Sequence, residues 1–171
     1  DKIVYNDPRR FGMMFFVETG KEHQHKAFKT MGVEPVGNEF HASHIADKFS
    51  QKKTPTNTAL LEQRIIARIG NIYACEALYR SSICPFRSCC DLTGDEVQNL
   101  VSAIRDVLVE AICSGGSSLR DHRQTDGSMG YFQHSFQVYD REGESCPVTG
   151  GVIKRTVQSG RSTFYCSEKQ K

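Results

Sequence analysis

Residues 59–81, ALLEQRIIARIGNIYACEALYRS, constrain what this chain can fold into more than any other stretch. They read as two helices joined by a tight, glycine-containing turn. In the first, Leu60, Leu61, Ile65 and Ile66 stand at helical spacing around Glu62 and Arg64. In the second, Ile72, Cys75, Leu78 and Tyr79 recur at three and four residues, the spacing of one helical face. Between them lies Ile69-Gly70-Asn71. Gly70 admits a backbone shape that a residue with a Cβ resists, and Asn71 is placed to cap the second helix through its side-chain oxygen. A sharp turn feeding a helix start leaves backbone N–H groups pointing outward, ready for an anion such as a DNA phosphate. A helical pair of this kind is more often a simple packing unit, so the nucleic-acid reading needs support from the rest of the chain.

Part of that support is the distribution of charge. The net charge of +2 is close to neutral. Residues 52–87, however, carry Lys52, Lys53, Arg64, Arg68, Arg80 and Arg87 against Glu62 and Glu76, a local excess of +4. Residues 146–171 carry Lys154, Arg155, Arg161, Lys169 and Lys171 against Glu168, again +4. Residues 93–113 between them hold Arg105 against four acids. Basic ends around an acidic middle fit a face that tracks phosphates.

The wording of the central stretch is more specific than its physics. IGNIYACEAL resembles the helix-two-turn-helix motif of the formamidopyrimidine-DNA glycosylase family. Three further matches follow the family's order. They are DPRRFG at 7–12, GGSSLRD at 115–121 with GYF at 130–132, and GRSTFYC at 160–166. The resemblance covers nearly the whole chain. It implies an α+β fold in three parts: residues 1–20 ending an N-terminal catalytic β-sandwich, 21–134 forming the helix-two-turn-helix domain, and 135–171 forming a zinc-finger-like β-hairpin.

In chain order, residues 2–5 (KIVY) and 12–17 (GMMFFV) predict two strands around the 6–10 connection. By the resemblance, Arg9 contacts the base orphaned by base flipping and Phe11 wedges into the stack, because an extruded base leaves a hole that Arg and an aromatic can refill. The family nucleophile is an N-terminal proline, whereas this sequence starts Asp1-Lys2. The expectation is therefore a C-terminal portion of a longer enzyme, with no catalytic residue of its own. Residues 23–31 and 41–51 read as helices. Their His23, His25, His41 and His44 are interleaved with Lys, which argues against a metal site. A family Lys that reaches toward the lesion is replaced by Asn57, and Arg68 stands where the family has a small residue. Glu62 and Glu76 match acidic positions. Glu76 reads either as an orienting group or as a solvated helix residue.

Thr93 followed by Glu96 predicts a capping box. A buried stripe of Val97, Leu100, Val101, Ile104, Leu108 and Ile112 follows it, and Gly115-Gly116 stops the helix. The loop at 117–132 resembles the family loop that closes over the extruded base, with Ser117, Gly130 and Tyr131 as its candidate contacts. Residues 136–139, 152–157 and 162–165 read as short strands.

The seven cysteines show no disulfide-framework spacing, and neither a secretory leader nor an apolar run of membrane length is read. The expectation is a reducing bacterial cytoplasm at the nucleoid. Cys75, Cys84 and Cys113 lie in apolar patterns and read as small core residues, and Cys89-Cys90 as a loop beside a helix. The family finger has two Cys-x-x-Cys pairs. Here Cys146 and Cys166 remain, with Thr149 and Lys169 at the second places. Structural zinc takes four ligands, usually Cys or His, so a hairpin without zinc, and no other cofactor, is expected. Arg161 is expected to grip a DNA phosphate from the hairpin tip, together with Asn71.

The resulting expectation is a monomeric base-excision-repair glycosylase and lyase. Its partner is double-stranded DNA carrying oxidised purines or abasic sites, and it has no membrane partner. Two alternatives stand beside it: a damaged-DNA binding protein without catalysis, and a sister glycosylase for oxidised pyrimidines.

Overall fold

The computed structural model describes residues 2–7, 10–117 and 130–171 of the 171-residue chain. Its order of regular elements is α1 (Ala42–Phe49), α2 (Thr56–Leu60), α3 (Asn71–Arg80), α4 (Gly94–Cys113), β1 (Lys154–Gln158) and β2 (Arg161–Tyr165), with short 3-10 turns between. The chain divides into two compact units, Asp1–Thr30 and Met31–Lys171.

In the first unit the expected strands at 2–5 and 12–17 do not form, and the expected helix at 23–31 is one 3-10 turn, Glu22–Gln24. A strand exists by pairing its N–H and C=O groups with a neighbour, and residues 2–5 and 12–17 find none among the described residues. Asp7 organises the turn instead. Its Oδ2 accepts from the Gly12 amide at 2.6 Å and from the Tyr5 hydroxyl at 3.2 Å.

The second unit is built around α3. Ala74, Ala77 and Leu78 face a core shared with Phe40, Ile45, Phe49, Leu60, Ile66, Leu100 and Ile104. Cys75 and Tyr79, four residues apart, face a second core with Val138, Cys146, Ile153, Phe164 and Cys166. The helix is therefore a wall between two cores, which explains why it is apolar nearly all round. α4 packs across α3 and α1. Its start is the expected capping box, with Thr93 Oγ1 accepting from the Glu96 amide and the Glu96 carboxylate accepting from the Thr93 amide. Its stripe holds except at the last turn: Val107 and Ala111 are buried, and Ile112 is 66% exposed. Cys113 is exposed too and Cys84 is half-buried, so of the three cysteines expected in a core only Cys75 is there.

The first helix of the central pair is shorter than its apolar pattern predicts. α2 ends at Leu60, and Ile65 and Ile66 reach the core from consecutive turns. Gln63 holds these turns, accepting from the Arg68 amide at 2.6 Å and donating to the Ile69 carbonyl at 3.1 Å, while Arg68 takes φ 61°. The expected strand at 136–139 is absent, because its amides are spent on a side chain described below. β1 and β2 pair antiparallel, from Lys154 opposite Tyr165 to Gln158 opposite Arg161. Ser159 and Gly160 join them at φ 49° and 76°, the two positive values that a two-residue hairpin turn of matching twist requires. Among the described residues no helix is long and apolar enough to cross a membrane.

Candidate nucleic-acid interface

Asn71 is the first residue of α3, and the cap position belongs to Gly70. The expected capping by the Asn71 oxygen is thus not made. The N–H groups of Asn71, Ile72 and Tyr73 have no carbonyl one turn earlier inside the helix to bond. Gly70 itself has an ordinary extended backbone (φ −106°), so its expected unusual conformation is not what calls for glycine. A Cβ there would meet only Tyr73 at 4.0 Å. The surface over this helix start is open.

The Asn71 side chain reaches the hairpin, donating from Nδ2 to the Ser162 carbonyl at 2.7 Å. Ser162 follows Arg161 directly. Arg161 begins β2, beside the two-residue turn; it is exposed, and among the described residues its side chain has no ion pair or hydrogen bond. The two residues expected to hold phosphates are therefore brought to one place.

A second bridge runs underneath. Asn57 is fully buried and donates to Thr163 Oγ1 at 3.1 Å. Thr163 donates to Gln158 Oε1 at 3.1 Å, and Gln158 Nε2 reaches the Pro85 carbonyl at 3.2 Å. Asn57 thus faces the hairpin and not a ligand. The side-chain oxygens of both Asn57 and Asn71 are buried without a partner.

Much of the sequence-level charge excess is neutralised. Lys52 pairs with Glu62, Arg68 with Glu34, Arg80 with Glu110, and Arg87 with Glu96. In the two basic segments Lys53, Arg64, Lys154, Arg161 and Lys171 stand exposed without an ion pair among the described residues.

Of the other expected contacts, Arg9 lies outside the described residues. Phe11 is 80% exposed. Ser117 and Tyr131 pair across the base of the 117–132 loop, and Tyr131 is exposed and stacks on His134. The Tyr131 amide donates to the Ser114 carbonyl and the Phe132 amide to that of Gly116, so the loop base is clamped to the end of α4. Gly130 lies so close that a Cβ would sit 2.1 Å from the Gly116 oxygen.

Two functional supports complete the frame: Glu76, whose two sequence readings the structure decides, and Arg87, which the sequence reading missed. Glu76 is fully buried, and its carboxylate accepts from the amides of Gln137, Val138 and Tyr139 at 2.9–3.1 Å. Its position between Cys75 and Ala77, on a helix apolar all round, was the available signal. Arg87 makes two bonds to Glu96 and one to the Asp91 carbonyl at 2.7 Å. These bonds, with those from the Thr93 amide and side chain, hold the Glu96 carboxyl down at about 2.

All seven cysteines of the chain are free thiols, so Cys146 and Cys166 of the finger do not pair. Tyr79 Oη lies 3.2 Å from Cys146 Sγ, and Thr149 Oγ1 lies 3.5 Å from Cys166 Sγ. Burial pushes the Cys146 thiol up, but hydrogen bonds from Thr149 and Tyr79 outweigh it and bring it below the usual thiol range. Structural zinc asks for four Cys or His ligands, and two thiols, a hydroxyl and an ammonium do not fit it. Among the described residues no group of three or more His, Cys, Asp or Glu could hold a metal ion.

Comparison with known proteins adds the following. The family model for the formamidopyrimidine-DNA glycosylase H2TH domain matches residues 31–123. The formamidopyrimidine-DNA glycosylase of Roseobacter denitrificans is 52% identical over 172 residues, covering 99% of this chain and 61% of the relative. That of Rhizobium etli is also 52% identical, over 178 residues, with 99% and 60% covered. The chain thus spans about three-fifths of the length of these relatives. Among solved structures, the MutM (Fpg) protein of Thermus thermophilus superposes with a TM-score of 0.90 at 41% identity, covering 96% of this chain and 62% of that one. Lactococcus lactis Fpg in complex with abasic-site DNA gives 0.84 at 31% identity, covering 91% and 57%.

Proposed function

The chain belongs to the formamidopyrimidine-DNA glycosylase family, and from that premise we propose that it is the DNA-gripping part of a base-excision-repair glycosylase and lyase that removes oxidised purines from DNA. The observation that carries this is the junction of α3 and the hairpin. Asn71, at an open helix start, is bonded to Ser162, and Arg161, without an ion pair among the described residues, stands beside it. Helix-start N–H groups and a lone guanidinium form a natural phosphate site. Gly70 leaves room for the phosphate to approach the backbone. A solved relative bound to DNA containing an abasic site supports the same reading.

In this reading Asn71 and Arg161 hold phosphates, Arg9 and Phe11 fill the gap, and the loop based on Ser117, Gly130 and Tyr131 covers the extruded base. The bond-breaking step implied by the resemblance is attack of a proline amine on the sugar C1′, giving a Schiff base and then strand cleavage by elimination. No residue named here performs it. The partner is duplex DNA in the bacterial nucleoid, bound by a monomer, and the strands expected at 2–5 and 12–17 belong to a β-sandwich completed in the whole enzyme.

The test is a binding titration against a duplex carrying a tetrahydrofuran abasic analogue and against the undamaged duplex, over a salt series. Arg161→Ala should weaken binding to both duplexes and reduce the log–log salt slope by about 0.9, the share of one phosphate contact. Asn71→Ala should weaken binding with less change in slope, because the amide carries no charge. Wild-type slopes retained in Arg161→Ala would refute the phosphate role.

A further inference from the structure

We propose that the finger of this protein is a metal-free module in which Thr149 links its two knuckles and Lys169 ties the second knuckle to the end of α3, in place of the cross-links that a metal ion would make. The first knuckle is the turn at 146–151, where the Gly150 amide donates to the Cys146 carbonyl and the Cys146 amide to that of Gly151. The second is the turn at 166–170, where the Lys169 and Gln170 amides donate to the Cys166 carbonyl. A tetrahedral ion would join the two by taking two thiolates from each. Here each knuckle keeps its first cysteine; Thr149 points across to the second knuckle, and Lys169 turns to the end of α3. Thr149, of the first knuckle, lies 3.5 Å from Cys166 Sγ. Lys169, of the second, lies 4.7 Å from the centre of the Tyr79 ring, whose hydroxyl meets Cys146 of the first.

The ammonium does more than occupy space. It donates to the Tyr79 carbonyl at 2.7 Å and to Ser82 Oγ at 2.8 Å. These acceptors lie at the C-terminal end of α3, where the helix carries partial negative charge that suits a cation; the Tyr79 carbonyl also accepts from the Ser82 amide. A metal ion held by the thiols would face this ammonium as a like charge, and an ammonium has no lone pair to offer it. The surrounding bonds run the same way. Gln170 Nε2 donates to the Ile83 carbonyl, the Lys171 amide to Ser82, and the Cys84 amide to Lys171. The C-terminal turn is thereby stitched to the end of α3 by hydrogen bonds alone.

The experiment compares the protein with two variants after expression in zinc-supplemented medium, reading metal content by mass spectrometry and thermal unfolding with and without a chelator. The wild type should hold well under one zinc per chain and unfold at the same temperature in chelator. Thr149→Cys combined with Lys169→Cys rebuilds four thiols; it should take up about one zinc per chain and become chelator-sensitive, as structural zinc sites are. Lys169→Met keeps the stem and removes the charge, and should lower the unfolding temperature by roughly 4–8 °C through the loss of two charge-assisted bonds. Stoichiometric zinc in the wild type, released by chelator with a fall in unfolding temperature, would overturn the proposal. So would an unchanged unfolding temperature in Lys169→Met, or a four-cysteine variant that folds but takes no zinc.

Discussion

Replacing Glu76 by Ala should cost this chain more stability than any surface change, and the structure gives the scale. The carboxylate is fully buried and receives the amides of Gln137, Val138 and Tyr139 at 2.9–3.1 Å. Those three amides lead from the loop base into the finger and have no strand partner. Alanine leaves them as donors without an acceptor, each at about 1–3 kcal/mol. The losses are not additive, because residues 137–139 can shift and water can enter. A total of roughly 3–5 kcal/mol follows, below the sum of three full penalties. A domain of this size has only about 5–15 kcal/mol in hand, so the variant should be partly unfolded near 37 °C. Glu76→Gln keeps one acceptor oxygen but turns an NH2 toward the amides, and should fall between wild type and alanine. Urea unfolding followed by circular dichroism measures the totals. Amide hydrogen exchange at 137–139 measures the local share, which should accelerate beyond the global change. A loss under about 1 kcal/mol for Glu76→Ala, or unchanged exchange at those three amides, would show that the carboxylate does not hold the segment and would refute the reasoning.

Two further outcomes follow from bonds elsewhere in the fold. Glu96, held at about 2 by Arg87, titrates below its ordinary 4.5; it therefore adds stability above pH 4.5 that is lost as the pH falls through 2, about 1–2 kcal/mol after solvent screening of this partly exposed pair. The urea midpoints of wild type and Glu96→Gln should converge across that window, and parallel curves would refute the assignment. Thr163→Val is nearly isosteric and removes the hydroxyl that accepts from the buried Asn57 side-chain amide. Although Thr163 is fully buried and beyond reach of any ligand, affinity for an abasic duplex should fall roughly three- to tenfold through misplacement of Arg161; reduced stability with unchanged affinity would refute this positioning role.

What could be read from the sequence was what short-range chemistry controls. The capping box at Thr93 and Glu96 formed as expected, because both partners lie within four residues of each other. The hairpin turn also formed, because Ser159 and Gly160 accept positive φ. The apolar stripe of α4 was legible down to Leu108, and it failed at Ile112 because steps of four residues drift around the helix, so that Ala111 takes the core-facing place in the last turn. What could not be read was pairing over distance. Asn71 was expected to cap its own helix, and its amide went instead to Ser162, 91 residues on. Glu76 had two readings, and residues 137–139 decided between them. Charge counting failed for the same reason: Arg68, Arg80 and Arg87 raise the local excess on paper, yet each is met by a carboxylate from another part of the chain. Strand patterns at 2–5 and 12–17 met the converse limit, since alternation shows that a segment suits a sheet but supplies no neighbour.

The position of the candidate interface follows from the double role of α3. A stretch as short as 135–171 is too small to bury a core of its own, and a two-stranded ribbon is marginal in water. Its apolar side chains are completed by Cys75 and Tyr79, which α3 contributes from the face it turns away from the main core. The finger is therefore an extension of the helical domain and draws its order from it. Three anchors spaced along α3 set its placement: Asn71 at the first residue, Glu76 in the middle, and the Tyr79 carbonyl near the end. With the hairpin fixed at both ends of one rigid helix, Arg161 is held at the helix start with no side-chain bond among the described residues. Within the finger Thr149 reaches across to Cys166, and Lys169 ties the second knuckle to the same helix.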